Sequence, residues 1–283
     1  MVVDSHVHAF ASLSERFPRD VHELYPPELE APAERLLAQM ELAGVDRAVL
    51  VPLSHHDDYL ADCLRRFPDR FAGIGLQPPG EPSVDAYRAR RDAVGLQGVR
   101  LFDLGDPATA DIERLPCYPL LAEFAQSGDK LWFYGARAQM ELLGRVLVAL
   151  PELTVVLNHL GYWPSALSID EFGRPRFGHP YSQDNLAAVV ALAQFSRAYV
   201  LFSGLYAFAR RPWPYDDLRP VTAGILEAFG PRRMLLATDF PWTAAEPGYP
   251  QTVHTLDEHF PDLPAIDRSL LRGANSADLF GFR

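Results

Sequence analysis

The chain alternates short apolar segments rich in β-branched residues with longer segments of mixed apolar and polar residues. The short segments have the composition of buried strands, and eight are predicted, at 2–8, 46–53, 71–77, 97–102, 130–136, 154–160, 198–205 and 233–239. The longer segments have the spacing of amphipathic helices, and seven lie between the strands, at 32–43, 57–67, 83–93, 117–127, 138–149, 184–195 and 218–229.

This alternation favours a parallel sheet, and eight strands are the number that closes a (β/α)8 TIM barrel. The alternative is an open, doubly wound sheet, but no glycine-rich phosphate loop follows the first strand. The 283 residues are close to the ~250 typical of the barrel, and no Gly/Ser linker interrupts them. We therefore predict a single α/β barrel domain over 1–283, closed by one or two helices within 266–282.

Composition excludes several classes of partner. The formal net charge is −11 and no long run of Lys or Arg occurs, so we expect neither nucleic acid nor an anionic membrane surface. No apolar run approaches the ~20 residues of a membrane span, and no export signal is visible. The two cysteines, Cys63 and Cys117, are too few for a disulfide framework, which predicts a reducing cytoplasmic location. The sequence leaves a homodimer open.

Two connections are long for a compact domain. Residues 9–31 follow the first strand and residues 161–183 follow the sixth. Loops of this length are commonly lids or binding loops. In a barrel both would lie at the C-terminal ends of the strands, where active sites are built.

The first strand, VVDSHVH, carries three polar residues of one parity. On a regular strand Asp4, His6 and His8 would point to the same face. Polar groups on an otherwise apolar strand are costly unless an interaction compensates them. If His6 and His8 stood alone, buried histidines with ordinary hydrogen-bond partners would explain them equally well.

Two further predicted strands end in residues of the same chemical type. Strand six ends at His159, in the parity of Val155 and Leu157, and strand eight ends at Asp239. Three histidines and a carboxylate at one rim form the N/O ligand set that a divalent transition metal prefers. The spacing thus predicts that His6, His8, His159 and Asp239 converge as a metal site.

Five segments give the chain a family resemblance: DSHVH, VLNHLG, FSGLY, FGPRRMLLATDFPW and ANSADLFG. In this order they resemble the amidohydrolase superfamily, and more closely its amidohydrolase 2 branch of lactonases and decarboxylases. The resemblance implies a barrel with its site at the C-terminal rim, and functional roles for His6, His8, His159 and Asp239. Bimetallic members carry a bridging Lys or Glu, but strand five ends WFYGA. At most one divalent metal, zinc or manganese, is therefore expected, and some lactonases of this branch look metal-independent.

Roles follow from residue chemistry. A metal would lower the pKa of bound water toward ~7. Asp239 is the predicted general base, with His159 as its catalytic partner, although a helix N-cap would also explain Asp239. Asp4 is expected to orient a histidine or to bond the rim of strand eight. The predicted substrate contacts are Arg100 as a carboxylate clamp, then Tyr134, His55, His56, Arg174 and Arg176.

The sequence thus predicts a metal-dependent hydrolase that opens a small, anionic, cyclic ester such as a carboxylated lactone. The alternative within the same branch is a nonoxidative decarboxylase of an aromatic or unsaturated acid. Such a decarboxylase is expected to use a further histidine after strand seven, and FSGLYAFARR has none. A third hypothesis is a barrel that only binds a ligand or a partner. The complete His/His/His/Asp set disfavours it.

Overall fold

The eight predicted strands form one parallel barrel. The computed structural model describes all of residues 1–283. Its barrel strands are β1 Val3–Val7, β2 Arg47–Leu50, β3 Phe71–Leu76, β4 Leu96–Leu101, β5 Lys130–Phe133, β6 Thr154–Leu157, β9 Ala198–Phe202 and β10 Met234–Leu236. Each pairs in parallel with the next one along this series. The end of β1 then bonds to the segment after β10, which closes the ring. The predicted (β/α)8 architecture is confirmed.

Helices lie between the strands, and seven of them lie at the predicted places. They are α1 Ala33–Ala43, α2 Asp58–Arg66, α3 Val84–Val94, α4 Tyr118–Ser127, α5 Arg137–Ala149, α6 Gln183–Ala191, α7 Leu205–Phe208, α8 Arg219–Phe229, α9 Tyr249–His259, α10 Ala265–Ser269 and α11 Asn275–Phe280. The predicted bounds hold to within one residue, except that α6 ends early and continues as the 3₁₀ turn Leu192–Gln194. The predicted C-terminal helices are α10 and α11.

Three elements were not predicted. The short helix α7 and the longer α9 lie in segments that the sequence analysis left unassigned. The third is an antiparallel hairpin within the long connection 161–183, formed by β7 Leu167–Ile169 and β8 Pro175–Phe177. All three β7 residues are exposed, so the hairpin carries no buried alternation from which a strand could be predicted.

Two separate apolar clusters show which way each strand residue points. The inner cluster fills the barrel and includes Val49, Ile74, Trp132 and Val156, with Phe280 of α11. The outer and larger cluster packs the opposite strand faces against the helices. Because the inner cluster occupies the barrel below the strand ends, the C-terminal mouth remains as the place for a site.

Two observations bear on the composition argument. None of the helices combines the length and the apolar content needed to cross a bilayer. Cys63 and Cys117 are both free and buried. The cytoplasmic location stays a prediction, as does the homodimer.

Candidate active site

Four predicted side chains converge at the C-terminal mouth of the barrel, with Asp239 at their centre. Its Oδ1 lies 3.1 Å from Nε2 of His8 and 3.5 Å from Nε2 of His6. Its Oδ2 lies 3.9 Å from Nε2 of His159. All four residues are buried. The structure thus brings together residues from three strand ends, while their catalytic and metal-binding roles stay predictions.

A bulge in β1 decides which of its side chains face this point. Asp4 pairs with Ala48 and Val7 pairs with Leu50, so three steps along β1 match two along β2. Ala48 and Leu50 belong to the outer cluster, and Asp4 and Val7 therefore face outward beside them. The prediction that Asp4 shares a face with the two histidines is wrong, because the inserted residue reverses the alternation.

Asp4 instead ties β1 to β10 from the outer side. It accepts hydrogen bonds from the backbone N–H of Thr238 at 2.9 Å, from the Thr238 hydroxyl at 2.5 Å and from the Tyr249 hydroxyl at 2.9 Å. Burial raises the pKa of Asp4 to about 6. The predicted contact with the rim of the last barrel strand is confirmed.

Backbone conformation, rather than strand alternation, brings His159 inward. The inner cluster takes Val156 from β6, whereas Val155 and Leu157 pack in the outer cluster. The predicted inward row of Val155, Leu157 and His159 is therefore wrong. His159 has φ 47° and Asp239 has φ 63°, the left-handed region that is uncommon for residues with a side chain. Such conformations concentrate at functional sites.

The segment FSGLY after β9 supports both residues. The Oγ of Ser203 lies 3.0 Å from Nδ1 of His159, and Tyr206 donates a hydrogen bond to Oδ2 of Asp239 at 2.6 Å. Gly204 has φ +72°, and a Cβ there would lie 2.7 Å from Cγ and Nδ1 of His159. The sequence analysis quoted this segment as a family signature but assigned no role to its residues.

Asp239 is an ionised carboxylate. Burial acts to raise its pKa, but the imidazoles of His159, His8 and His6 outweigh burial and hold the pKa of Asp239 well below its usual range. Burial lowers the pKa of His159 to about 4 and the pKa of His6 well below its ordinary value, so both rings are neutral at neutral pH. Oδ1 of Asp239 faces Nε2 of His8 and of His6 but has no hydrogen-bond partner.

The cluster has the donor types of a metal centre. The ligand atoms of His6, His159 and Asp239 all lie within 4.8 Å of one another. An imidazole that ligates a metal donates its other ring N–H to an acceptor. His8 meets this condition, because its Nδ1 lies 2.6 Å from the backbone carbonyl of Val51, which can only accept.

His6 does not meet this condition. The indole N–H of Trp132 can only donate, and it lies 2.9 Å from Nδ1 of His6, which must therefore accept. In the neutral ring the proton then sits on Nε2, the atom that faces Asp239 and would have to bind the metal. The four predicted ligands therefore do not fit a metal as one set.

A cavity of ≈ 490 Å³ leads from the cluster to the mouth, and His8, His159 and Asp239 line its base, whereas His6 lies beneath them. Arg100 lines the same cavity and is 7 % exposed. Its Nε has no hydrogen-bond partner, and no acid of the chain forms an ion pair with it. The charge of Asp239 acts on Arg100 across the cavity, but no anion is paired with the guanidinium. A buried guanidinium without a paired anion is costly, so this cavity favours an anionic ligand.

Two other predicted substrate residues line the cavity. The hydroxyl of Tyr134 is buried without a partner, and burial raises the pKa of Tyr134 far enough to keep it a hydrogen-bond donor. His55 lies at the mouth, where its Nδ1 is 3.0 Å from Oδ2 of Asp20. With Arg100, these residues are the predicted contacts that the structure brings to the cavity.

The structure does not bring the remaining three there. His56 lines a small neighbouring pocket. Arg174 donates to Asp170 and to the carbonyl of Glu246 at 2.9 and 2.6 Å. Arg176 donates to two backbone carbonyls at the end of the segment after β9. Both arginines therefore fasten the β7–β8 hairpin, which contributes apolar side chains to the cavity wall.

Comparison with known proteins places the chain among amidohydrolases. The amidohydrolase family model matches residues 3–282. No curated protein matches the chain. A structure from Pseudomonas putida described as a 2-pyrone-4,6-dicarboxylic acid hydrolase is 24% identical, with a TM-score of 0.75 over 100% of this chain and 98% of that one.

Two further structures share the fold at lower identity. An amidohydrolase from Burkholderia multivorans with bound zinc is 19% identical, with a TM-score of 0.76 over 100% of both chains. The 5-carboxyvanillate decarboxylase from Sphingomonas paucimobilis is 15% identical, with a TM-score of 0.62 over 100% of this chain and 99% of that one.

The close approach of Gly204 to His159 generates a prediction. In Gly204→Ala the added methyl group should displace the His159 ring, and we expect activity to fall at least about 100-fold, since small displacements at a catalytic group are costly. Gly128→Ala is the matched control, because Gly128 has a similar left-handed conformation, with φ 78° and ψ 11° against 72° and 4° at Gly204, but open space around its Cβ position. Urea denaturation should show a stability loss of at least about 1–2 kcal/mol in both variants, and steady-state kinetics should show an activity loss in Gly204→Ala alone. Equal activity in the two variants would refute the packing role.

Proposed function

We propose, from the premise that this chain belongs to the amidohydrolase family, that it is a hydrolase that opens a small lactone carrying a carboxylate. One observation carries the proposal. A single cavity holds an ionised Asp239, whose Oδ1 has no hydrogen-bond partner, and a buried Arg100 that forms no ion pair. The first is a base for water, and the second is a site for an anion.

Binding would begin at Arg100. A fixed guanidinium fork pairs with a carboxylate through two hydrogen bonds, and the rings of Phe102 and Tyr134, at 4.7 and 5.6 Å, limit its movement. With the carboxylate held there, the lactone carbonyl would point toward the His/Asp cluster. The free hydroxyl of Tyr134 is available to donate to the carbonyl oxygen as negative charge develops on it.

Hydrolysis would then proceed by attack of water. Oδ1 of Asp239 takes a proton from water as the water oxygen bonds to the carbonyl carbon. The bond between this carbon and the ring oxygen breaks, and the proton passes from Asp239 through His159 to the departing oxygen. Tyr206 holds Oδ2, so the carboxylate presents its other oxygen to the reactant. The products are one hydroxyl and one new carboxylic acid, which ionises at neutral pH and releases the second proton of the water to solvent.

The divalent metal that the sequence predicts, zinc or manganese, has no step in this route. The hydrogen bond from Trp132 stands against His6 as a ligand, so every step is assigned to residues of the chain. The decarboxylase alternative has less support. The segment after β9 lacks a histidine, and the carboxylate to be lost would have to approach the charge of Asp239.

A panel of carboxylated lactones scored by proton release tests the activity. We expect at least one to be hydrolysed, and Asp239→Asn to lower kcat at least about 1,000-fold, because the amide cannot take the proton. The exposed Asp69→Asn is the control and should retain wild-type rates. Release of CO₂ from an unsaturated acid, with every lactone inert, would contradict the proposal, as would wild-type activity in Asp239→Asn.

The role of Arg100 is tested with a matched pair of substrates. Arg100→Met should raise KM for the carboxylated lactone roughly 10- to 100-fold, the range expected for lost hydrogen bonds to a charged group. For the same lactone without its carboxylate, kcat/KM should change little. Arg210→Met, a loop arginine outside the cavity, serves as the control. An equal loss for both substrates would show that Arg100 has a structural role instead.

The pH dependence follows from the neutral imidazoles. Burial lowers the pKa of His159 to about 4, so this ring stays able to accept a proton at neutral pH. After subtraction of spontaneous hydrolysis, log kcat/KM of the wild type should stay level as the pH falls from about 8 to about 6. It should fall only as the pH approaches 4, where His159 gains a proton. The assignment would be contradicted if the wild-type activity fell already near pH 6.5 and Ser203→Ala shifted this fall, because Ser203 contacts His159.

A further inference from the structure

We propose that Trp132 is a positioning residue that fixes His6 with its proton on Nε2, so that the Nε2–H of His6 faces Asp239 and His6 is excluded from the ligands of any metal bound at this site. The proposal stands apart from the lactone activity, because its test uses zinc and no substrate.

The geometry is that of an in-plane N–H···N hydrogen bond. The ring planes of Trp132 and His6 lie within 8° of each other, with centroids 6.1 Å apart, and the two nitrogens are separated by 2.9 Å. Neither residue is accessible to solvent. Phe280 packs against the indole from below, at 5.9 Å between centroids. The indole therefore has little freedom to turn away from His6.

The chemistry of the two partners leaves one assignment. An indole nitrogen has no lone pair to offer, so it is a donor under all conditions. Nδ1 of His6 must supply the lone pair, so the ring can carry a proton only on Nε2. For Nε2 to bind a metal, its proton would have to leave or move to Nδ1. The first leaves an imidazolate, and the second sets two N–H groups against each other in a buried space.

The two histidines of the HxH pair therefore present different groups to Asp239. Nδ1 of His8 donates to the carbonyl of Val51, so in the neutral ring its Nε2 carries a lone pair. Nε2 of His6 carries a hydrogen and lies 3.5 Å from Oδ1 of Asp239. Because His6 does not line the cavity, it acts on a reactant through Asp239 rather than by contact.

Zinc titration by calorimetry tests the exclusion of His6. If His6 is not a ligand, His6→Gln should leave the zinc affinity of the otherwise unchanged protein within about twofold. In a Trp132→Phe background, Nδ1 is free to carry the proton. There we expect zinc to bind at least about tenfold more tightly than in the wild type, and His6→Gln to remove this gain. Trp213→Phe is the matched control, since it removes an indole donor that bonds Thr255 at 3.1 Å away from the site.

A spectroscopic reading gives a second test that does not need Trp132→Phe to fold. In ¹⁵N-histidine spectra of the wild type, the resonance lost in His6→Gln should show a protonated Nε2 and a bare Nδ1, both before and after zinc is added. A loss of zinc affinity by about 100-fold in His6→Gln with Trp132 in place would overturn the proposal. A His6 signal that changes to a protonated Nδ1 and a metal-bound Nε2 would overturn it as well.

Discussion

The pair of backbone hydrogen bonds that closes the barrel is the constraint on which the site depends. The N–H of Asp239 donates to the carbonyl of His6 at 3.0 Å, and the N–H of His8 donates to the carbonyl of Phe240 at 2.7 Å. These two bonds join both histidines of the HxH pair to Asp239, the proposed base, and to its neighbour Phe240. Closing the fold and assembling the cluster are therefore one event. A shift of register at this seam would break both together.

The seam also explains why polar groups accumulate where a core strand would be apolar. On the outer side, Asp4 receives three hydrogen bonds from Thr238 and Tyr249. On the inner side, Asp239 is held by Tyr206 and surrounded by imidazoles. A buried carboxylate is tolerated only when neighbouring groups compensate its lost hydration. Asp4 has three hydrogen-bond donors, and Asp239 has the Tyr206 hydroxyl. The bulge in β1 separates the two sets by sending Asp4 outward, so that the two carboxylates do not share one space.

Sequence alone could predict the barrel and the convergence of four residues, because both follow from the order of strands and from the common edge of parallel strand ends. It could not predict which face Asp4 takes, since a bulge leaves no mark in the alternation. It placed His159 correctly for a wrong reason: the rim position was right, but a left-handed backbone rather than the parity of β6 turns the ring inward. For Asp239 the parity argument held, as Leu235 and Ala237 belong to the inner cluster.

Arg174 and Arg176 looked like anion contacts by charge alone, and only coordinates show that carbonyls and Asp170 already occupy them. The sequence analysis assigned no role to Trp132, because a hydrogen bond between distant strands has no local signal.

The charges in the cavity fix the direction in which a substrate can bind. Arg100 and Asp239 line the same space with opposite charge, so a carboxylated ligand is attracted at one point and repelled at the other. Two like charges about 4 Å apart repel by about 4 kcal/mol at an effective dielectric constant of 20, which corresponds to roughly a thousandfold in affinity. A carboxylate placed against Asp239 would bear this cost unless a cation intervened, and the bond between Trp132 and His6 removes one ligand from such a cation. A carboxylate placed against Arg100 gains an ion pair instead and leaves an uncharged carbonyl facing the base. The same two charges therefore support the proposed hydrolysis of a neutral ester bond over loss of the carboxylate itself.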